Sequence, residues 1–286
     1  MTVLEVIQRS TDYLAKKGVE SPRLQIELLL AHVLGLPRLQ LYLNFERPLT
    51  GPELATLREL VRRRGDREPL QHLTGSASFC GFEIAVNRDV LIPRPETELL
   101  AERAWQLLAM LNPQPATVLD FGTGSGCLAI AVAAKCPAAV VHALDVSPAA
   151  LAVARANAAR HGLDGRVHFF QGDGFGALPA GVRFDLTVAN PPYIPTAEIA
   201  TLQPEVRDFD PRLALDGGPD GLDCVRRLAA EGGAFLQPAG RLMMEFGDGQ
   251  GRAVEAVFAA RGWGTEPLVA DLSGRDRFLI ARPPAT

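Results

Sequence analysis

The sequence predicts an α/β protein: a mostly parallel sheet with helices on both faces, preceded by a small N-terminal helical bundle and a β-hairpin linker. Three observations predict it. From Thr117 onward, short apolar runs alternate with helical segments, the pattern of strand–helix units around a parallel sheet. Before Pro69 the apolar residues recur at helical spacing. Between the two, residues 79–92 alternate loosely around turn-forming residues, which suggests paired strands.

Val3, Val6, Ile7, Tyr13 and Leu14 mark a first helix, with Gly18 as its stop. Ser21-Pro22 opens a second as N-cap and first helical residue, and Gly35 closes it. Leu39–Leu43 reads as a shorter helix, and Thr50-Gly51-Pro52 opens another that carries Leu54, Leu57, Leu60 and Val61. Phe79–Val86 and Val90–Ile92 are read as strands around a turn. Pro93-Arg94-Pro95 is stiff and extended, and Pro95 starts a helix whose first turn places Glu96 and Glu98 at the positive end of the dipole.

The later strands are expected at Thr117–Phe121, Val140–Leu144, Val167–Phe170, Leu186–Ala189, Arg241–Phe246, Thr265–Val269 and Arg277–Ala281. The intervening helices fall at Cys127–Lys135, Pro148–His161, Leu222–Phe235 and Arg252–Arg261. No helix separates the last two strands, so an antiparallel pair is expected at the end. The expected domains are residues 1–74, a linker at 75–95, and residues 96–286.

The net charge of −4 argues against broad attraction to nucleic-acid backbones, so no stable nucleic-acid partner is expected. Cys80, Cys127, Cys136 and Cys224 are scattered, which fits free thiols in a reducing compartment. His72, His142, His161 and His168 lack metal-ligand spacing, and no metal is expected. Glu5, Arg9, Asp12 and Lys16 interrupt the N-terminus, unlike a signal peptide. No uncharged apolar run approaches the ~20 residues of a membrane helix, so a cytoplasmic protein away from membranes is expected.

Asp120-Phe121-Gly122-Thr123-Gly124-Ser125-Gly126 is a strand end running into a glycine-rich turn that opens a helix. The next strand ends in Asp145, placed to accept hydrogen bonds from both hydroxyls of a ribose. The spacing is G-x-G-x-G, not the dinucleotide G-x-G-x-x-G. Asp120 repels a pyrophosphate but suits the ammonium of a methionine moiety, so S-adenosylmethionine is favoured over a nicotinamide cofactor, with S-adenosylhomocysteine as product. After the third strand, Asp173 is placed to accept from an adenine amino group, and Gly174-Phe175 to line the ring.

The strand ending at Ala189 runs directly into Asn190-Pro191-Pro192-Tyr193, where an open α/β sheet places its ligands. An amide nitrogen is a poor nucleophile because its electron density is delocalised. The Asn190 side-chain oxygen and the Pro191 carbonyl can each accept one N–H of an acceptor NH2 group. Pro191 and Pro192 stiffen the backbone, and Tyr193 offers an aromatic face to a planar group. Such a site holds a nitrogen in a near-attack pose and stabilises the charge developing on it.

Asn-Pro-Pro-Tyr resembles the hallmark of amino-group methyltransferases, which act on adenine, guanine or glutamine nitrogens. A narrower resemblance rests on Pro69-Leu70-Gln71-His72-Leu73, on Leu91-Ile92-Pro93-Arg94-Pro95-Glu96-Thr97-Glu98 and on Asn190-Pro191-Pro192-Tyr193-Ile194-Pro195. Pro211-Arg212-Leu213-Ala214-Leu215-Asp216-Gly217-Gly218 and Gly274-Arg275-Asp276-Arg277 extend it. On these motifs the chain is similar, over nearly its whole length, to the bacterial release factor glutamine methyltransferases, the PrmC/HemK family. The resemblance implies a Rossmann-like S-adenosylmethionine-dependent catalytic domain and a helical N-terminal domain that contacts the release factor. It implies methylation of the glutamine amide in the Gly-Gly-Gln motif of class I peptide chain release factors. Carried over by position, Gly122 to Gly126, Asp145 and Gly174 line the cofactor, and Asn190 to Tyr193 hold the glutamine.

The sequence departs from the family pattern at Phe209-Asp210, where a pair closer to Tyr-Glu is usual, and at Gly174, often a bulky residue. The alternative activity is methylation of an exocyclic amine of adenine or guanine in DNA or RNA, which normally requires base extrusion and a basic recognition surface. A non-catalytic cofactor-binding protein is the other rival, and the intact Asn190–Tyr193 and Asp145 disfavour it. Arg58, Arg62, Arg63, Arg64 and Arg67 form a basic stripe that reads as a solvated helix face or as a contact for an acidic partner. Arg94-Pro95-Glu96 is a candidate roof for the active site, and residues 194–219 form a long loop expected to frame the peptide entrance. A monomer is the default expectation.

Overall fold

The computed structural model describes residues 1–111 and 115–284. Residues 112–114 and 285–286 of the expected catalytic region lie outside the described residues. In chain order the first helices are α1 (Val3–Lys16), α2 (Pro22–Leu34), α3 (Arg38–Leu41), α4 (Gly51–Gly65) and α5 (Leu70–Thr74). Strands β1 (Ser76–Phe79) and β2 (Phe82–Ala85) follow, then α6 (Pro95–Leu111), β3 (Ala116–Phe121), α7 (Cys127–Lys135) and β4 (Ala139–Asp145). Next come α8 (Pro148–Arg160), β5 (Val167–Gln171), β6 (Phe184–Ala189), α9 (Pro204–Arg207) and α10 (Asp223–Glu231). The chain ends with β7 (Leu236–Glu245), α11 (Gly251–Ala259), β8 (Gly264–Thr265), β9 (Val269–Ala270) and β10 (Asp276–Arg282).

The residues divide into two compact units, Met1–Ser76 with Gln203–Phe209, and Ala77–Leu202 with Asp210–Thr286. In the first, Thr2 and Thr50 cap α1 and α4, each in a reciprocal capping box with the glutamate three residues on. Val6, Ile7, Leu14, Ile26, Leu29, Leu30, Leu57 and Leu60 close its core. Ser21 departs from expectation: it is left-handed (φ 47°) and its side chain makes no cap bond. The basic stripe is largely spent within this unit. Arg62 pairs with Glu59 and Asp66, Arg63 with Glu68, and Arg64 and Arg67 both with Glu205 of the return segment. Arg64 is buried rather than solvated.

In the second unit the main sheet has the order β5-β4-β3-β6-β7-β10-β8, and β9 pairs with β10. Strands β5 through β7 run parallel, and β10 is antiparallel to β7, β8 and β9. The expected strand Thr265–Val269 is split between β8 and β9. Pleat alternation separates two cores. Val118, Val141, Met243, Phe278 and Ile280 pack with α6, α7 and α8, while Leu119, Leu242, Met244, Leu279 and Ala281 pack with α10 and α11. The β1–β2 hairpin turns at Cys80-Gly81, two consecutive positive-φ residues as a type I′ turn requires. It therefore closes earlier than the sequence suggests. Val90–Ile92 is not a strand; Val90 and Ile92 are buried in the first core as irregular chain.

Candidate active site

The functional side chains gather at the carboxyl ends of the parallel strands. A cavity of about 390 Å³ opens there, lined by the turn after β3, the end of β4, the turn after β5 and the segment after β6. Its lining includes Gly122, Thr123, Gly124, Ser125, Asp145, Asp173, Gly174, Asn190 and Pro192.

The glycine turn is held from both sides. Gly122 and Thr123 donate their backbone N–H to the Leu144 carbonyl, each at 2.9 Å. Gly124 N–H donates to Asp145 Oδ2 at 2.9 Å, and Ser147 N–H donates to Asp145 Oδ1 at 2.9 Å. The Asp145 carboxylate thus fastens the turn while one edge faces the cavity. Gly126 is left-handed (φ 81°), and a Cβ there would lie 3.1 Å from Ala154 Cβ, so α7 and α8 approach closely only with glycine. Asn157 on α8, fully buried, donates to the Ser125 carbonyl at 2.9 Å and makes a two-way bond with the backbone of Ala85.

Asp120 sits at the end of β3, just before the glycine turn. It is fully buried and outside the cavity lining, and Oδ2 accepts from Thr123 Oγ1 at 2.6 Å and from the Ala129 amide at 3.1 Å. Burial pushes its carboxyl up to about 7. Through Oδ2 it braces the turn and the start of α7, while Oδ1 is buried without a hydrogen-bond partner among the described residues.

At the other end, Asp173 lies on the cavity wall, but its carboxylate is engaged by the Arg227 guanidinium. Arg227 also covers Gly174, where a Cβ would collide with the guanidinium. Gly174 is itself left-handed (φ 83°), a backbone conformation that strains any other side chain. Phe175, expected to line a ring, is instead buried, 5.0 Å from the Phe121 ring and stacked on Phe235 at 4.9 Å. Phe121 is the aromatic residue that reaches the cavity.

After β6, Asn190 and Pro192 line the cavity, whereas Pro191 and Tyr193 do not. Asn190 Nδ2 donates to Thr97 Oγ1 at 2.9 Å; Asn190 Oδ1 and the Pro191 carbonyl have no hydrogen-bond partner among the described residues. The Tyr193 hydroxyl sits 3.4 Å from Glu245 Oε1 and accepts from Arg277 Nη2 at 3.2 Å, and Arg277 lies 5.4 Å from the ring centroid. Burial first, then the Glu245 carboxylate, push the Tyr193 phenol up to about 12. The backbone here is clamped: Gln250 Nε2 donates to the Tyr193 carbonyl at 2.8 Å, and Gly217 donates to the Ile194 carbonyl at 2.9 Å. A Cβ on Gly221 would sit 2.2 Å from the Tyr193 carbonyl oxygen, so this loop closes on the Asn190–Tyr193 backbone only with glycine.

Several site residues were not singled out in the sequence. Thr97 lies within the segment Leu91–Glu98 with nothing local to mark its hydroxyl, and Glu245 is a lone acid at the end of an apolar strand. A charged residue in a strand otherwise fit for burial was the available signal. Arg94 does border the cavity, and it pairs with buried Asp210 at 2.5 Å. No cluster of three or more His, Cys, Asp or Glu groups suited to a metal ion occurs among the described residues. Among the described residues no helix is long and apolar enough to cross a membrane.

The chain matches the PrmC N-terminal domain over residues 5–75 and the Methyltransferase small domain over residues 102–204. It is 47% identical over 281 residues to the release factor glutamine methyltransferase of Geobacter sulfurreducens, covering 98% of this chain and 96% of that one. It is 44% identical over 277 residues to the protein of the same name from Rhodospirillum rubrum, covering 97% and 84%. Among solved structures, a methyltransferase from Pyrococcus furiosus is similar in fold, with a TM-score of 0.53 at 18% identity over 72% of this chain and 90% of that one.

Proposed function

The chain belongs to the release factor glutamine methyltransferase family, and on that premise we propose that it methylates a glutamine side-chain amide in class I peptide chain release factors. The acceptor is the glutamine of the Gly-Gly-Gln motif, and the setting is the cytoplasm. The observation that carries this reading is one cavity bordered by Asp145 on one side of the glycine turn and by Asn190 on the other.

The residues fit S-adenosylmethionine. A cavity of about 390 Å³ falls within the roughly 300–1,000 Å³ of small-molecule sites. The Asp145 carboxylate would hold the ribose hydroxyls, and the turn Gly122–Gly126 gives close backbone approach to the methionine portion. Asp173 and Gly174 would border the adenine, with Arg227 sharing the Asp173 carboxylate. Asp120 acts from behind, keeping Thr123 and the first turn of α7 in place. When bound, S-adenosylmethionine supplies an electrophilic methyl carbon on a positive sulfonium.

The chain's own groups then fix the acceptor. Asn190 Oδ1 and the Pro191 carbonyl, both free to accept, would each take one N–H of the glutamine amide. That leaves the nitrogen facing the methyl carbon and stabilises the positive charge it gains. Pro192 walls the cavity beside Asn190, and Tyr193 keeps this segment in place through its bonds to the buried network behind it. The helical unit supplies release-factor contact. Because Arg62, Arg63, Arg64 and Arg67 are already ion-paired, that contact does not rest on a free basic stripe.

The test is methyl transfer from labelled S-adenosylmethionine, with a class I release factor and its Gly-Gly-Gln glutamine-to-alanine variant offered side by side. Label on the unaltered factor alone is expected. Label on nucleic acid and on neither protein would transfer the assignment to exocyclic-amine methylation.

A further inference from the structure

Asn190 ends a chain of hydrogen bonds that leads away from the cavity into the sheet. Thr97 Oγ1 donates to Glu245 Oε2 at 2.8 Å and accepts from Asn190 Nδ2 at 2.9 Å. Glu245 is fully buried, and Thr97 is only 2% exposed. A hydroxyl carries one hydrogen. With Glu245 ionised, that hydrogen is committed to the carboxylate, and the Thr97 oxygen can present only lone pairs to Asn190. Asn190 must then turn its NH2 toward Thr97, which leaves Oδ1 facing the cavity. The flipped amide would set oxygen against oxygen at Thr97 and offer donors to an incoming N–H.

We propose that Thr97 and Glu245 are positioning residues for methyl transfer. The Glu245 carboxylate sets the direction of the hydrogen bond through Thr97, and that direction holds Asn190 with its oxygen toward the acceptor nitrogen. This inference rests on the reading of Asn190 given above. Neither residue touches the reacting atoms; each acts through the Asn190 amide.

The charge of Glu245 is balanced by its neighbours. Burial raises its carboxyl above the ordinary range, against the Thr97 hydroxyl of α6, Arg277 of β10 at 3.8 Å and the Tyr193 hydroxyl at 3.4 Å; Glu96 of α6 adds to the rise. A protonated Glu245 can donate to Thr97 Oγ1, which frees the Thr97 hydrogen for Asn190 Oδ1. The chain then runs the other way, and the oxygen needed by the substrate is occupied. Turnover therefore falls as the pH drops through the raised pKa of Glu245.

Thr97→Val keeps the shape and removes the hydroxyl. It is expected to lower kcat by roughly 10- to 100-fold while cofactor Kd stays within about threefold, because the loss is one of orientation. Thr97→Ser restores the hydroxyl and is expected to recover kcat to within about threefold of the unaltered enzyme. The acidic limb of the kcat profile should disappear in Thr97→Val, since Glu245 no longer communicates with Asn190. A Thr97→Val enzyme within about twofold of normal kcat, or a Thr97→Ser enzyme as slow as Thr97→Val, overturns the proposal. Should Thr97→Val not fold, Glu245→Gln carries the test: it has no proton to gain, so an acidic limb that persists in it overturns the proposal. Asn190→Ala separates the levels. An inactive Asn190→Ala beside a fully active Thr97→Val defeats this inference alone, whereas a fully active Asn190→Ala defeats the reading of Asn190 and this inference with it.

Discussion

Replacing Asn157 with alanine tests how the glycine turn is kept in shape. The side chain accepts from the Ala85 amide at 2.8 Å and donates to the Ala85 carbonyl at 3.0 Å and the Ser125 carbonyl at 2.9 Å. All three bonds end on backbone groups, and Asn157 itself is closed to water. Each such bond is worth about 1 kcal/mol net, and a buried group left unsatisfied costs about 1–3 kcal/mol. The loss should be about 3 kcal/mol and at most about 5 kcal/mol, the upper end for a single substitution. At roughly 2–4 °C per kcal/mol, the calorimetric transition of the sheet-bearing unit should drop by about 6–12 °C. Asn157→Asp sharpens the test. It keeps the acceptor but sets a carboxylate against two carbonyl oxygens, so at neutral pH it should lose at least as much as alanine. Cofactor affinity should fall in both variants, because Ser125 belongs to the turn. A shift below about 2 °C with unchanged cofactor affinity would refute the reasoning.

Asp145→Ala removes the acceptor of Gly124 N–H and the carboxylate edge facing the cavity, so S-adenosylmethionine should bind about 100-fold more weakly by calorimetry while the protein stays folded. In the helical unit, Glu205→Ala leaves buried Arg64 without its carboxylate and should cost about 2–3 kcal/mol in urea unfolding followed by helix content, with allowance for partial exposure of Glu205. Burial alone would raise the Glu205 carboxyl, but the bonds from Arg67 and Arg64 outweigh it and hold it below its ordinary value. Its contribution is therefore present above the ordinary glutamate range and lost as pH falls, and the gap between variant and parent should narrow in acid. Asp210 has the opposite sign. Burial, opposed by Arg94, pushes its carboxyl up to about 6, so the stability linked to it is present below the ordinary aspartate range and lost as pH rises through about 6. Asp210→Asn should lack that decline, measurable as a flatter melting temperature between about pH 4 and 6.

How much of this was legible in the sequence depended on how local the cause is. Gly122–Gly126 announced itself because a tight turn against a helix needs residues without a Cβ, and Gly126 against Ala154 shows that need directly. Asn190–Tyr193 was legible because its residue types suit amide binding and the preceding apolar run ends at Ala189. The pairing of Asp173 with Arg227 was not, since the partners are far apart in sequence and either alone reads as a solvated charge. Ser21 misled because cap propensity describes a preference, while the backbone there is left-handed. Val90–Ile92 misled for a related reason: its apolar residues are buried, but as irregular chain, and burial alone does not distinguish the two. The short helix Pro204–Arg207 was hidden in a loop without periodicity, where Glu205 finds its arginines on α4 and just beyond it.

The register of the parallel sheet is what joins the cavity to the polar chain behind it. Phe121 of β3, Ala189 of β6 and Met244 of β7 are level across the sheet. The next residue on each strand is therefore at a common level too: Gly122 begins the turn, Asn190 begins the acceptor segment, and Glu245 closes β7. Adjacent strands lie about 4.8 Å apart, and residues at a common level project to the same face of the sheet, so Asn190 and Glu245 both reach the same neighbour. Thr97, from the first turn of α6, supplies the intervening oxygen. A slip of one residue between β6 and β7 would carry Glu245 to the opposite face and replace it at that level with Met244 or Phe246. Neither could accept from Thr97, and the Asn190 amide would lose the constraint on which way it points. The apolar residues that fix this register, Leu242 and Met244 on one face and Met243 on the other, thus act on the acceptor site although none of them lines the cavity.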